Sequence, residues 1–424
     1  MEIYKMNSYN LTSKFKKTFI KNSIFVIVLL GILNIGLLLS KNIKILHFKS
    51  ILNNKNLYIL SGLILVSLCN RYYKKNNFTQ SIVSNEDRAK VREYIKKYGY
   101  NPVSYLSLEK DKEYFFSKNI EGAVAYVISS GVAVCSGDPI CDEEDVIQLL
   151  SEFISHCKEK ELRICFCQTS SKFMNEFSKL GFGFIKYGEE AMFDLETYTT
   201  RGKKAAKTRQ AINNANRLGV EVFEYKPLRN KDISIEKEIL EVSNEWLSFK
   251  KSGELSFMLG SISLDQPMDR KYFIAVDADK KILGFVVFVP FLDGRGYYAD
   301  VTRRRKDAPI GVMEKIIINA FDKMKTEGVK WGSLGVAPLA NVREDKQKIQ
   351  ITSFVLEFIY KNINNFYGFK SLHQYKKKYG PTTWESRFLV YYPKIFTPKI
   401  AYSIVKVKNP GGIKDFLINQ IKRK

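Results

Sequence analysis

The chain has 424 residues, 45% of them hydrophobic, with 68 Lys+Arg against 44 Asp+Glu and a formal net charge of +24. This composition excludes wholesale disorder, and the length calls for two or three structural units. The positive excess points to a polyanionic partner: nucleic acid, an anionic membrane surface, or both. Six cysteines form no CxxC pair, and the three histidines join no cluster at metal-ligand spacing, which argues against a zinc site or a Ser-His-Asp triad. Cys165 and Cys167 alternate in "LRICFCQ", as buried reduced thiols on a strand would.

The first element in chain order is an uncharged apolar run over 22–40. It is close to the ~20 residues that span a bilayer, and no A-x-A cleavage site follows it. A second, shorter run ends near residue 70, so the spacing predicts a transmembrane hairpin with helices over about 22–40 and 52–70. Flanking lysines and arginines favour both ends on the cytosolic side. A single span with an interfacial segment is the plainer alternative.

From Ser84 the pattern becomes mixed helix and strand. "SNEDRAKVREYIKKYG" carries Ser84 as N-cap, Asp87 at capping-box spacing and Gly99 as a stop. Two strands flank the turn Ser129-Ser130-Gly131. A helix follows with Val146, Leu149, Leu150, Phe153 and Ile154 on one face. "RICFCQTS" reads as a strand, and a short helix ends at Gly181. Between Arg201 and Arg217 lie six basic residues and no acid, so i,i+4 pairing cannot account for the charge. A solvated helix is one reading, and a helix that tracks nucleic-acid phosphates is the other. A second unit repeats the grammar: a helix from about Ile235, a hairpin turning at "DADKK", a strand "GRGYYADVT", a helix with Met313, Ile317, Phe321 and Met324 on one side, and a strand "VKWGSLGVAPL". The fold class expected is α/β with mixed sheets.

"ADVTRRRKDAPIGVMEKIIINAF" and "WGSLGVAPLAN" resemble the signature of aminoacyl-phosphatidylglycerol synthases, the lipid lysyltransferases also called multiple peptide resistance factors. The resemblance continues in "SGDPI", in residues 187–219, in "SNEWL" and in residues 366–393, and spans roughly 82–395. It implies tandem GNAT-like (acetyltransferase-like) domains joined by a basic helix. The expected organisation is a membrane anchor over 1–75, a first domain over 76–200, a linking helix over 201–218, a second, catalytic domain over 219–395 and a basic tail over 396–424, in which "GGIKDFLINQIKRK" suits an amphipathic helix on a membrane surface. The resemblance also implies aminoacyl transfer from tRNA, lysine being the family default, to a phosphatidylglycerol hydroxyl at the inner membrane face. The cationic lipid so formed lowers surface negative charge and protects against cationic antimicrobial peptides. Long family members carry many more spans than the two expected here. One departure is Ile310, where the family has a polar residue between Pro and Gly.

The donor is already an ester, so neither a cofactor nor a metal is expected. Aminoacyl-tRNA is the co-substrate, and phosphatidylglycerol and an anionic membrane are the other partners. The reaction needs a base, oxyanion donors and cations for phosphates. Asp300 is the first candidate for acid–base work or for gripping an ammonium, and Arg303 for binding a phosphate or pairing with Asp300. A structural ion pair is the plain alternative for both. Glu189 and Glu190 are candidates for the amino group of the donor. Gly311 opens a helix whose N–H groups can take an anion. Lys376, Lys378 and Arg387 are phosphate candidates, and Lys203, Lys204, Lys207 and Arg209 are candidates for tRNA. Two alternatives stand beside this: a tRNA-dependent transferase with a glycolipid or peptidoglycan-precursor acceptor, and a non-catalytic membrane-tethered RNA-binding protein.

Overall fold

The computed structural model describes residues 83–249, 257, 259–338 and 369–408. All of these belong to the compact unit Phe78–Lys424. The expected transmembrane hairpin lies outside the described residues, as does the tail beyond 408. Among the described residues no helix is long and apolar enough to cross a membrane.

The chain opens with helix α1 (Asn85–Tyr98), which Ser84 caps by accepting from the Asp87 N–H at 3.0 Å, and Gly99 closes it as its capping pattern predicts. A 3-10 segment (Ser104–Leu108) leads into β1 (Glu113–Phe116), β2 (Gly122–Ser129), β3 (Val132–Ser136) and β4 (Ile140–Cys141). Helix α2 (Val146–Glu159), β5 (Arg163–Thr169), α3 (Met174–Lys179) and β6 (Gly183–Asp194) complete the first half. The predicted apolar face of α2 is fully buried.

The basic helix, α4, spans Ala206–Arg217 and not Arg201 onward. Lys203 and Lys204 sit in the turn before it, so they do not share a helical face with Lys207. The second half follows: β7 (Glu221–Tyr225), α5 (Ile233–Ser248), β8 (Lys271–Val276), β9 (Ile282–Phe291), β10 (Gly296–Arg304), α6 (Val312–Thr326) and β11 (Trp331–Pro338). Helix α7 (Phe369–Lys377), β12 (Thr383–Tyr392) and α8 (Pro398–Lys408) end the described chain.

The strands form one continuous sheet in the order β1-β2-β3-β5-β12-β6-β11-β10-β9-β8-β7, with β4 on β2. Each half keeps the expected plan of hairpin, helix and parallel strand, with β3 parallel to β5 and β10 parallel to β11. The halves nonetheless share strands. β12 inserts between β5 and β6, and β6 pairs onward with β11. β9 is buried along its whole length, which explains the unbroken apolar run "ILGFVVFVPF" of a sheet covered on both faces. Helices α4, α6 and α7 cover one face of the second half, and α5 covers the other. Helix α8, at the start of the expected basic tail, is an apolar helix. Its Ile400, Ala401 and Ile404 are buried in the first half's core, and the Ser403 hydroxyl donates to the Ser129 carbonyl at 2.9 Å.

Candidate active site

The parallel pair β10–β11 is joined only at residues 296–298 and 331–333. Beyond this point β11 stays with β6, and the two parallel strands part. Asp300 stands where the seam opens. It is the extra residue of a β-bulge, because Ala299 faces Phe288 and Val301 already faces Val287. The bulge has a chemical consequence. In a regular strand, residues i and i+3 point to opposite faces. The extra residue resets that phase, so Arg303, opposite Phe285, and Val301 lie on the α5 side. Asp300 lies on the same side, against the backbone of Gly260, which also adjoins Leu106. The i,i+3 spacing seen in the sequence thus becomes one shared face.

Asp300 is 7% exposed. Its Oδ1 accepts from the Gly260 N–H at 2.9 Å, and its Oδ2 has no hydrogen-bond partner among the described residues. Burial pushes its carboxyl up to about 7; the Gly260 hydrogen bond opposes this, the Glu109 charge adds to it, and Arg270 and Arg303 counter it. A carboxyl titrating near neutrality is suited to proton transfer. A Cβ on Gly260 would stand 1.9 Å from Oδ2, so glycine is required for this approach. The Arg303 guanidinium lies 4.0 Å over the Trp246 ring on α5. Of its basic neighbours, Arg304 donates to the Ala308 carbonyl and Arg305 bridges Glu238 and Glu245. Lys306 lies over Phe249. The cationic run is therefore largely absorbed by the chain itself.

A second cluster joins β6, β11 and β12. Glu190 is wholly buried and accepts from Arg387 Nε at 2.6 Å and from the Ser333 hydroxyl at 2.5 Å. Arg387 also reaches Glu385 at 2.8 Å. Although burial acts against its charge, Glu190 and Glu385 keep the guanidinium firmly protonated. Lys376, buried, donates from Nζ to the Val336 carbonyl at 2.8 Å, on the stretch of β11 that has left β10. Burial pulls its ammonium down to about 7, with Glu190 opposing. Glu189 and Glu190 do not act as a pair. Strand alternation sets Glu190 with Met192, and Glu189 with Ala191 and Phe193 on the other face, where Glu189 accepts from Lys186 at 2.7 Å.

The remaining sequence candidates lie elsewhere. Gly311, with φ of 105°, lets α6 meet α4: a Cβ there would stand 1.9 Å from the Ala211 carbonyl oxygen. The first turn of α6 already carries an acid, Glu314, which pairs with Lys378. Lys378 also lies 4.0 Å over the Tyr375 ring. Lys203, Lys204 and Lys207 are exposed. Arg209 turns inward to the carbonyls of Thr200 and Gly202, so it ties down the turn before α4. Sequence reasoning missed Gly260, Glu109, Arg270 and Ser333. Ser333 and Trp246 stood in marked stretches, "WGSLGVAPLAN" and "SNEWL", and neither had an assigned role there.

The site is thus a buried carboxyl at an open parallel seam, in one continuous mixed sheet built from two halves of similar strand and helix order. Residues 92–391 match the family described as "Phosphatidylglycerol lysyltransferase, C-terminal", and the chain belongs to that family. The phosphatidylglycerol lysyltransferase of Bacillus subtilis (strain 168) is 31% identical over 324 residues, covering 76% of this chain and 36% of the relative. That of Staphylococcus haemolyticus is 28% identical over 349 residues, covering 82% and 40%. The chain thus spans well under half the length of these relatives. Among solved structures, L-PGS from Bacillus licheniformis superposes with a TM-score of 0.65 at 26% identity, covering 76% of this chain and 95% of that one. A C-terminal domain from Agrobacterium fabrum gives 0.67 at 23%, covering 77% and 99%.

Proposed function

We propose that this chain moves an aminoacyl group, lysyl by family default, from aminoacyl-tRNA to a hydroxyl of phosphatidylglycerol. The observation that carries this reading is the family match joined to a half-satisfied, buried Asp300 at the open β10–β11 seam. In the proposed step Oδ2 of the ionised Asp300 takes the proton of the lipid hydroxyl as that oxygen attacks the ester carbonyl. Arg303 supplies positive charge for the oxyanion or for a substrate phosphate. The carbon–oxygen bond to the tRNA ribose then breaks, and the proton returns from Asp300 to the ribose oxygen. One ester is exchanged for another, with no net redox change and no call for ATP. Binding both substrates side by side accounts for much of the rate, as in any reaction made intramolecular by a surface.

In this reading exposed Lys203, Lys204 and Lys207 track tRNA phosphates, while Arg209 holds their turn in shape. Lys376 and Arg387 tune the seam next to Glu190, and Gly311 and Lys378 keep α6 in register. The chain works at the inner face of the cell membrane, and its product lowers surface negative charge against cationic peptides. The test is incubation of the full chain with labelled aminoacyl-tRNAs and phosphatidylglycerol vesicles. A cationic lipid ester is expected from one amino acid or a few. Product on a glycolipid instead would redirect the acceptor, and no lipid product from any aminoacyl-tRNA would overturn the reading.

A further inference from the structure

The Gly260 turn that holds Asp300 is itself held from the other half of the molecule. Glu109, directly after the 3-10 segment, accepts from the Ser261 hydroxyl at 2.9 Å and from the Ser261 N–H at 3.3 Å. It also accepts from Arg270 Nη2 at 2.8 Å. Arg270, immediately before β8, keeps only 2% of its side chain exposed and lies 5.2 Å over the Tyr105 ring. Its Nε and Nη1 have no hydrogen-bond partner among the described residues, so the guanidinium is not fully spent on Glu109. A continuous chain of contacts therefore runs from Arg270 to Glu109, through Ser261 and Gly260, to Asp300.

We propose that Glu109 and Arg270 are a positioning pair for Asp300, in which the first half of the fold clamps the Gly260–Ser261 turn and sets the field at the reacting carboxyl. The proposal deepens the functional reading above and rests on it for the role of Asp300, but the clamp itself is a property of the fold. Among the described residues, the charged groups facing Asp300 are Glu109 from the first half, Arg270 at β8 and Arg303 on its own strand. The α5 side contributes the Trp246 ring over Arg303, and the charge of Lys112 is balanced by Asp111. Glu109 and Arg270 act on Asp300 with opposite sign. The pair thus leaves the site near balance while fixing its geometry. Neither residue touches the reacting atoms in this arrangement.

Opposite signs make the test specific. Side-chain NMR of isotope-labelled aspartate in the full chain follows the Asp300 carboxyl, identified by the signal lost in D300N. R270M is expected to move its titration midpoint up by about half a pH unit or more, and E109Q to move it down by a similar amount. The double variant returns toward the parent, and R270K stays near it. A merely structural role would loosen the turn in both single variants and move the midpoint the same way in each. Movement in one direction only, or none, overturns the proposal. Should R270M fail to fold, R270Q and E109Q carry the same pair of expectations. Lipid-product assays of these variants add a second reading: the acidic limb of the rate profile should follow the NMR midpoint. Undiminished transfer by D300N would sink the catalytic reading, yet leave the NMR result to decide the clamp on its own.

Discussion

Two aspartates occupy related places in the two halves and have opposite surroundings. Asp138 follows β3, whose parallel pairing with β5 continues over all five residues from Val132 to Ser136. The Gly137 N–H then donates to the Cys167 carbonyl at 2.9 Å, which extends the seam. The Asp138 carboxylate accepts from Asn101 at 2.6 Å and from the Ser170 N–H at 3.1 Å, so it pins the strand ends together. Asp300 belongs to β10, which leaves β11 after three paired residues, and one of its oxygens has no partner among the described residues. Burial raises both carboxyls. Only one of them is left with unused hydrogen-bonding capacity. The comparison teaches that a repeated fold can keep the acid in both copies and reserve it for chemistry in one, by opening or closing a single strand seam.

The sharpest way to break this comparison is to exchange the losses. D300N should cut lipid-ester formation by about 1000-fold, within the range of a lost acid–base group, with little loss of stability at neutral pH. D138A should do the reverse. It leaves the Asn101 amide and the Ser170 N–H unsatisfied in a buried place, at about 2 to 4 kcal/mol, while the activity of the remaining folded protein stays near the parent level. Urea midpoints and product formation on the same samples check both. If D138A proved the more damaging to turnover in folded protein, the first half would have to be counted as part of the chemistry.

The next largest effect concerns the strand that joins the halves. R387M leaves Glu190 charged and unpaired at 0% exposure, which should cost about 3 to 5 kcal/mol in urea unfolding. The double variant E190Q/R387M should recover part of it, since the uncompensated charge is gone. Sequence reading assigned Arg387 to substrate phosphate. Retained stability with lost transfer in R387M would favour that assignment over a structural one.

How much of this was legible in the sequence follows from the range of each signal. Helices α1, α2 and α6 were legible because caps and a 3.6-residue apolar period act within the segment itself. Asp300 and Arg303 stood out as charge in an apolar strand, but their common face depends on a bulge that one-residue alternation cannot foretell. Lys378 and Arg209 looked like free cations because their partners, Glu314 and the Thr200 and Gly202 carbonyls, meet them only in the folded chain. Glu189 and Glu190 adjoin in the sequence, but neighbours on a strand face opposite ways, so the two candidates stand on different faces of β6. Glu109 and Arg270 lie far apart in sequence and in segments with no periodic mark, so only the packing of one half on the other brings them together.

A smaller effect per unit of change isolates Asp300 from every other group. Its carboxyl titrates at 3.8 in the absence of structure and near 7 when folded. Between those values the folded state holds a proton that the unfolded state has released. The unfolding free energy therefore falls as pH rises from about 4 to about 7, at a limiting slope of about 1.4 kcal/mol per pH unit, and this contribution levels off above pH 7. The neutral side chain of D300N has no such slope. Subtracting the pH dependence of D300N from that of the parent should leave a descending line over that window, whereas Asp138, with its hydrogen bonds holding the ionised form, should give a shallower difference in D138N. Transfer activity should move the opposite way, rising through the same window as the base ionises. A stability difference that rises with pH would mean that Asp300 is held charged in the fold. It would then match an ammonium-gripping carboxylate better than a general base, and the contrast between the two seams would rest on geometry alone.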